Sequence, residues 1–125
     1  MRFEINFEKS SEYVYIKTEG EASVSGFNEL LTELIESSDW ITGTKQLVDH
    51  RKLKLDKLKS VDMGIIRDIV KQHSEKLGNG RCAFVVSGSL GFGFVRMYEL
   101  LGGNDIHQEL AVFYEIDEAV NWLRE

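Results

Sequence analysis

An α/β fold, with a mixed and mostly parallel five-stranded sheet and four helices in the order ββαβαβαβα, is what this 125-residue sequence predicts. Three observations carry that expectation. Two short runs near the N-terminus read as a hairpin, and from there apolar stripes at helical spacing alternate with short β-rich runs. Cys82-Ala83-Phe84-Val85-Val86 is continuously apolar, as a strand covered on both faces is. Strands that alternate with helices after an opening hairpin give parallel pairing with right-handed crossovers and leave an antiparallel strand at one edge.

Each element follows from its own pattern. Phe3, Ile5 and Phe7 alternate with polar neighbours, and Tyr13-Val14-Tyr15-Ile16 is rich in β-branched and aromatic residues, so the two form the hairpin. Phe27, Leu30, Leu31, Leu34 and Ile35 make the stripe of a one-sided helix, with Ser25 as its N-cap. Gln46-Leu47-Val48-Asp49 is a short third strand. Val61, Ile65, Ile69, Val70 and Leu77 mark a second helix, capped by Ser60 and stopped by Gly78. Cys82 to Val86 is expected at the centre of the sheet. The glycine-rich stretch Gly88 to Gly93 then leads into a third helix carrying Phe94, Met97, Tyr98 and Leu101 and ending at Gly102-Gly103. Leu110-Ala111-Val112-Phe113 is the last strand, and Asp117 caps a final helix bearing Val120, Trp122 and Leu123.

Composition bounds the chain further. At this length a single domain, residues 1–125, buries roughly two-thirds of its unfolded surface, and 42% apolar with 29% charged residues is an ordinary globular balance. One cysteine, Cys82, forms no internal disulfide, so a reducing cytoplasm is the expected compartment. No apolar run approaches the roughly 20 residues of a membrane span, and the start Met1-Arg2-Phe3-Glu4 is unlike a signal peptide.

The element order resembles the SpoIIAA-like proteins, relatives of the STAS domain of anti-sigma-factor antagonists. Leu47-Val48-Asp49 closing a strand, Ser60 opening the next helix, the Arg96-Met97-Tyr98-Glu99 helix and the closing Val112-Phe113 and Glu118-Ala119-Val120-Asn121-Trp122-Leu123 runs carry the likeness over nearly the whole chain. The resemblance implies a small bacterial regulatory module, without enzymatic activity, that binds another protein and is switched by phosphorylation of a serine at the start of the helix after the third strand. Only Asp49 and Ser60 match that pattern. The chain has Asp49-His50-Arg51-Lys52-Leu53 and a single Ser60 where the antagonists have an Asp-Leu-Ser turn and a paired serine or threonine. The same branch is similar to lipid-carrying Sec14-type domains, which implies a small hydrophobic or lipid ligand as the alternative.

Ser60 is the candidate phosphoacceptor: a phosphate at a helix N-terminus gains from the helix dipole, and Lys57 and Lys59 offset its charge, whereas Asp62 repels it. The plainer role is an unmodified cap. Residues 45–81 carry ten Lys and Arg against five acids, a local +5 in a chain of net charge −6. Asp49, Arg51, Lys54, Lys57 and Lys59 therefore form the expected interaction surface, toward an acidic protein partner or an anionic lipid headgroup. Arg51 to Lys59 contains no aromatic residue, and the whole chain is acidic, which argues against nucleic acid. Ordinary solvated surface is the competing reading.

Ser87-Gly88-Ser89-Leu90-Gly91-Phe92-Gly93 matches neither the dinucleotide fingerprint nor the phosphate loop, and no Lys-Ser/Thr pair ends it, so nucleotide binding is disfavoured. Phe92, Phe94, Met97 and Tyr98 cluster too densely for one narrow stripe. An outward-facing member suits a partner groove, a homodimer face or a lipid tail; core packing is the alternative. His50, His73 and His107 lack metal-ligand spacing, no Gly-x-Ser-x-Gly elbow exists, and no carboxylate pair takes acid and base roles, so no metal, cofactor or catalytic residue is assigned.

Overall fold

The structure, a computed structural model, describes residues 1–8, 12–89, 91–93, 95–96 and 106–125. Five strands, β1 (Arg2–Asn6), β2 (Tyr13–Glu21), β3 (Lys45–Lys54), β4 (Arg81–Val85) and β5 (Glu109–Phe113), lie in the sheet in chain order. β1 is antiparallel to β2, and the pairs β2–β3, β3–β4 and β4–β5 are parallel. The sheet is thus mixed, with its antiparallel strand at one edge. Its middle strand is β3 rather than the Cys82–Val86 run, because strand order follows chain order; β4 is interior, between β3 and β5. β3 is also much longer than its apolar stretch, since backbone pairing with β2 continues through charged residues as far as Lys54.

The helices are α1 (Val24–Glu36), α2 (Ser60–Gln72), α3 (Ser74–Leu77), α4 (helical at 88–89, 91–93 and 95–96) and α5 (Ile116–Leu123). The single helix expected over 60–77 is broken at His73 into α2 and α3, so the described residues hold five helices instead of the four expected. Leu30 and Leu34 of α1 and Val70 of α2 pack with Val14, Ile16, Val48 and Cys82 on one face of the sheet. Ala119 and Leu123 of α5 pack with Leu47, Ala83 and Val85 on the other. Alternate residues along β3 and β4 thus belong to opposite layers, as the pleat requires.

Three caps differ from expectation. Ser23, not Ser25, caps α1: its Oγ accepts from the Gly26 N–H at 3.0 Å. Lys59 is the N-cap of α2 and Ser60 its first helical residue, because the Asp62 carboxylate reaches back to accept the Lys59 N–H at 2.9 Å. Glu115 precedes α5, so Asp117 lies in its first turn, where a negative charge complements the dipole. Gly78 ends α3 at φ +80°, a conformation that glycine adopts without steric cost.

Candidate functional site

On the α1–α2 side the sheet presents rows of side chains set by strand register. Val14, Gln46, Cys82 and Leu110 are register partners across β2 to β5, and Ile16, Val48 and Phe84 make the next row. Above these rows the layers do not close completely. A cavity of about 100 Å³ remains between the sheet, α1 and α2, walled mainly by Leu30, Leu34, Met63, Ile66, Val70 and Leu77, with Val95 of α4 also on its border. Cores are normally packed to the density of organic crystals, so an apolar void of this size is a departure to be explained.

Among the described residues, four polar side chains interrupt the apolar wall: Gln46, His50, Cys82 and Gln108. Gln46 is 5% exposed, and its Nε2 has no hydrogen-bond partner; Gln108 Nε2 is likewise buried and unpartnered. An unmet donor in such a place costs about 1–3 kcal/mol. His50 stacks on Phe84 and meets Phe27 edge to face, and its Nδ1 lies 2.6 Å from the Thr18 hydroxyl. Burial drives its pKa down to about 4, so the ring is neutral near pH 7. Burial also pushes the Cys82 thiol up to about 12, which removes its nucleophilic form.

The residues singled out from sequence fall elsewhere. Asp49 is 8% exposed, on the α5 side of β3, with its carboxylate fully engaged. Arg51 donates through Nε and Nη2 at 2.9 Å each and through its backbone N–H at 3.1 Å, and the Tyr15 hydroxyl donates at 3.2 Å. Burial raises the Asp49 pKa, but the bonds and charge of Arg51, with the Tyr15 bond, outweigh it and hold the carboxyl below its usual range. Asp49 is therefore an internal anchor for Arg51 rather than a group offered to a partner. Lys54, Lys57, Lys59 and Ser60 are exposed, and Lys57 pairs with Glu21 at 3.0 Å.

The basic segment does not converge on one patch. Lys45 and Arg81 bind the last carbonyls of α5, at Leu123 and Trp122, as cations at a helix C-terminus do. Arg67 is 5% exposed, with Nε and Nη2 unpartnered. Phe92 is half-buried and stacks on Tyr114, ring centroids 5.5 Å apart, whereas Phe94, Met97 and Tyr98 lie outside the described residues.

Sequence reasoning missed the cavity and its polar members. Its one signal was polar Gln46 and His50 at the inward positions of a strand whose other inward residue is apolar Val48. Among the described residues no three His, Cys, Asp or Glu gather as a metal site would require, and no helix is long and apolar enough to cross a membrane.

No family model and no curated protein matches the chain. Among solved structures it is similar to the crystal structure of an uncharacterised protein of the DUF3478 family with a SpoIIAA-like fold from Shewanella loihica PV-4. The TM-score is 0.65 at 21% identity, over 98% of this chain and 92% of that one. At that identity the likeness establishes a SpoIIAA-like fold.

Proposed function

We propose that this chain is a non-enzymatic regulatory module of SpoIIAA-like fold whose input is a small hydrophobic ligand held between the sheet and helices α1 and α2. One observation carries the reading: an apolar, partly open cavity of about 100 Å³ lies between the sheet and helices α1 and α2, bordered by buried amide nitrogens that lack partners. A merely structural core gains from closing such a void, by about 24 cal/mol per Å³ in large-to-small substitution series. An occupant would recover that loss. Among the described residues beside the cavity, the Cys82 thiol and the His50 ring both stay neutral, which fits binding rather than covalent chemistry.

Native mass spectrometry of freshly purified protein tests this: an added mass that denaturation releases supports the reading, and the bare chain mass across independent preparations counts against it.

A second reading rests on a different observation. Val61 and Ile65 of α2 are 66% and 43% exposed, directly after the exposed Lys54, Lys57, Lys59 and Ser60. Apolar side chains edged by cations suit an acidic protein partner or an anionic lipid surface, and phosphate on Ser60 would invert the local charge. Binding of an isolated partner should then weaken in Ser60→Asp and in the triple Lys54→Glu, Lys57→Glu, Lys59→Glu variant; unchanged binding in both removes this surface.

A further inference from the structure

We infer that the cavity takes a small neutral molecule, apolar over most of its surface, whose hydrogen-bond-accepting oxygen is received by the side-chain amides of Gln46 and Gln108. The inference rests on the ligand reading above and adds the ligand's chemistry. Among the described residues, the buried side-chain atoms without partners are four nitrogens: Gln46 Nε2, Gln108 Nε2, and Nε and Nη2 of Arg67. Each is a donor, and no buried side-chain acceptor among these residues is left over. The missing complement is thus an acceptor.

Both glutamines line the cavity. Gln46 is in register with Cys82 and Cys82 with Leu110, two residues beyond Gln108, so the two amides belong to the same end of the sheet. The rest of the described wall is almost wholly hydrocarbon, which sets the ligand's body. Its charge follows from the same wall: no Lys, Arg, Asp or Glu is among the described lining residues. A carboxylate would be buried there without a countercharge, which is far costlier than burying a carbonyl. Size follows from volume: about 100 Å³ is roughly two-thirds of an apolar cavity that holds benzene. The enclosed part of the ligand therefore has on the order of four or five non-hydrogen atoms. Ketones, esters and cyclic ethers meet these conditions.

The test titrates the isotope-labelled full chain with cyclopentanone, cyclopentane and cyclopentanecarboxylate, reading the side-chain amide signals of Gln46 and Gln108 by NMR. The ketone should shift both amide pairs saturably and bind about two- to tenfold more tightly than cyclopentane, the worth of one net hydrogen bond. In Gln46→Met and Gln108→Met, which keep volume but remove the donor, that preference should shrink while cyclopentane still binds. Equal binding of ketone and hydrocarbon, or a preference that survives both substitutions, overturns the inference and leaves the cavity reading standing. Tighter binding of the carboxylate, lost in Arg67→Met, also overturns it, in favour of an anion held by Arg67. If none of the three binds, the cavity reading itself fails. The amide shifts of the unsubstituted chain decide the matter even if a variant does not fold.

Discussion

Thr18 Oγ1 lies 2.6 Å from His50 Nδ1, and both side chains are buried on the cavity side of the sheet. The histidine is thereby satisfied as a neutral ring, and burial outweighs the pull of the neighbouring Asp49 charge toward the protonated form. Its pKa falls from 6.5 to about 4 through burial. A base whose folded pKa is lowered binds its proton first in the unfolded chain, so stability is complete above pH 6.5 and declines as pH falls toward 4. The loss from this one group is on the order of 3 kcal/mol. Urea denaturation at pH 7 and pH 4.5 should show it, and His50→Leu should flatten the slope over that window. A slope unchanged by the substitution would place the titration elsewhere.

Asp49 and the exposed lysines belong to one stretch of sequence and should behave as opposites. Asp49→Ala removes four hydrogen bonds from a buried carboxylate and should cost about 2–4 kcal/mol. Lys54→Glu and Lys59→Glu should each change stability by less than about 0.5 kcal/mol. Denaturation midpoints of the three variants check the contrast, and equal effects would refute it.

The two serines near helix starts should separate in the same way. Ser23→Ala removes the cap of α1 and should cost about 1 kcal/mol. Ser60→Ala removes no cap bond, because Asp62 supplies the one at α2, and should be nearly neutral. A larger loss at Ser60 would show that its hydroxyl has a structural partner.

Cys82 should resist thiol reagents in the native protein. Its side chain is buried, and its pKa is pushed up to about 12, so modification should follow global unfolding and speed up with denaturant. Rapid labelling under native conditions would mean that the cavity opens freely to solvent and reagent.

Much of the fold was legible in the sequence because it rests on periodicity. The Phe27 to Ile35 stripe gave α1, the alternation at Phe3, Ile5 and Phe7 gave β1, and the apolar Cys82 to Val86 run gave β4. What failed was whatever depends on a single hydrogen bond or on register. Ser23 and Ser25 offer the same chemistry two residues apart, and only the direction of the chain entering α1 decides between them. The Lys54 end of β3 was hidden because backbone pairing with β2 does not require apolar side chains where they face solvent. Gly80 carries a demand that no local pattern marks: a Cβ there would collide with the Gly43 carbonyl oxygen, a contact between distant loops.

The candidate site was less legible still. Gln46 and Gln108 are ordinary polar residues until strand register turns them inward, and nothing local marks a residue that will face a void. Asp49 matches the strand-closing acid of the family likeness, yet its partners Arg51 and Tyr15 absorb it completely.

Crystallography under xenon pressure tests the cavity most directly, since xenon enters dry apolar spaces and scatters strongly. A single xenon peak is predicted among Leu34, Val48, Val70 and Phe84, within about 100 Å³ of otherwise empty space. Side chains that fill this volume, with no xenon bound, would contradict it.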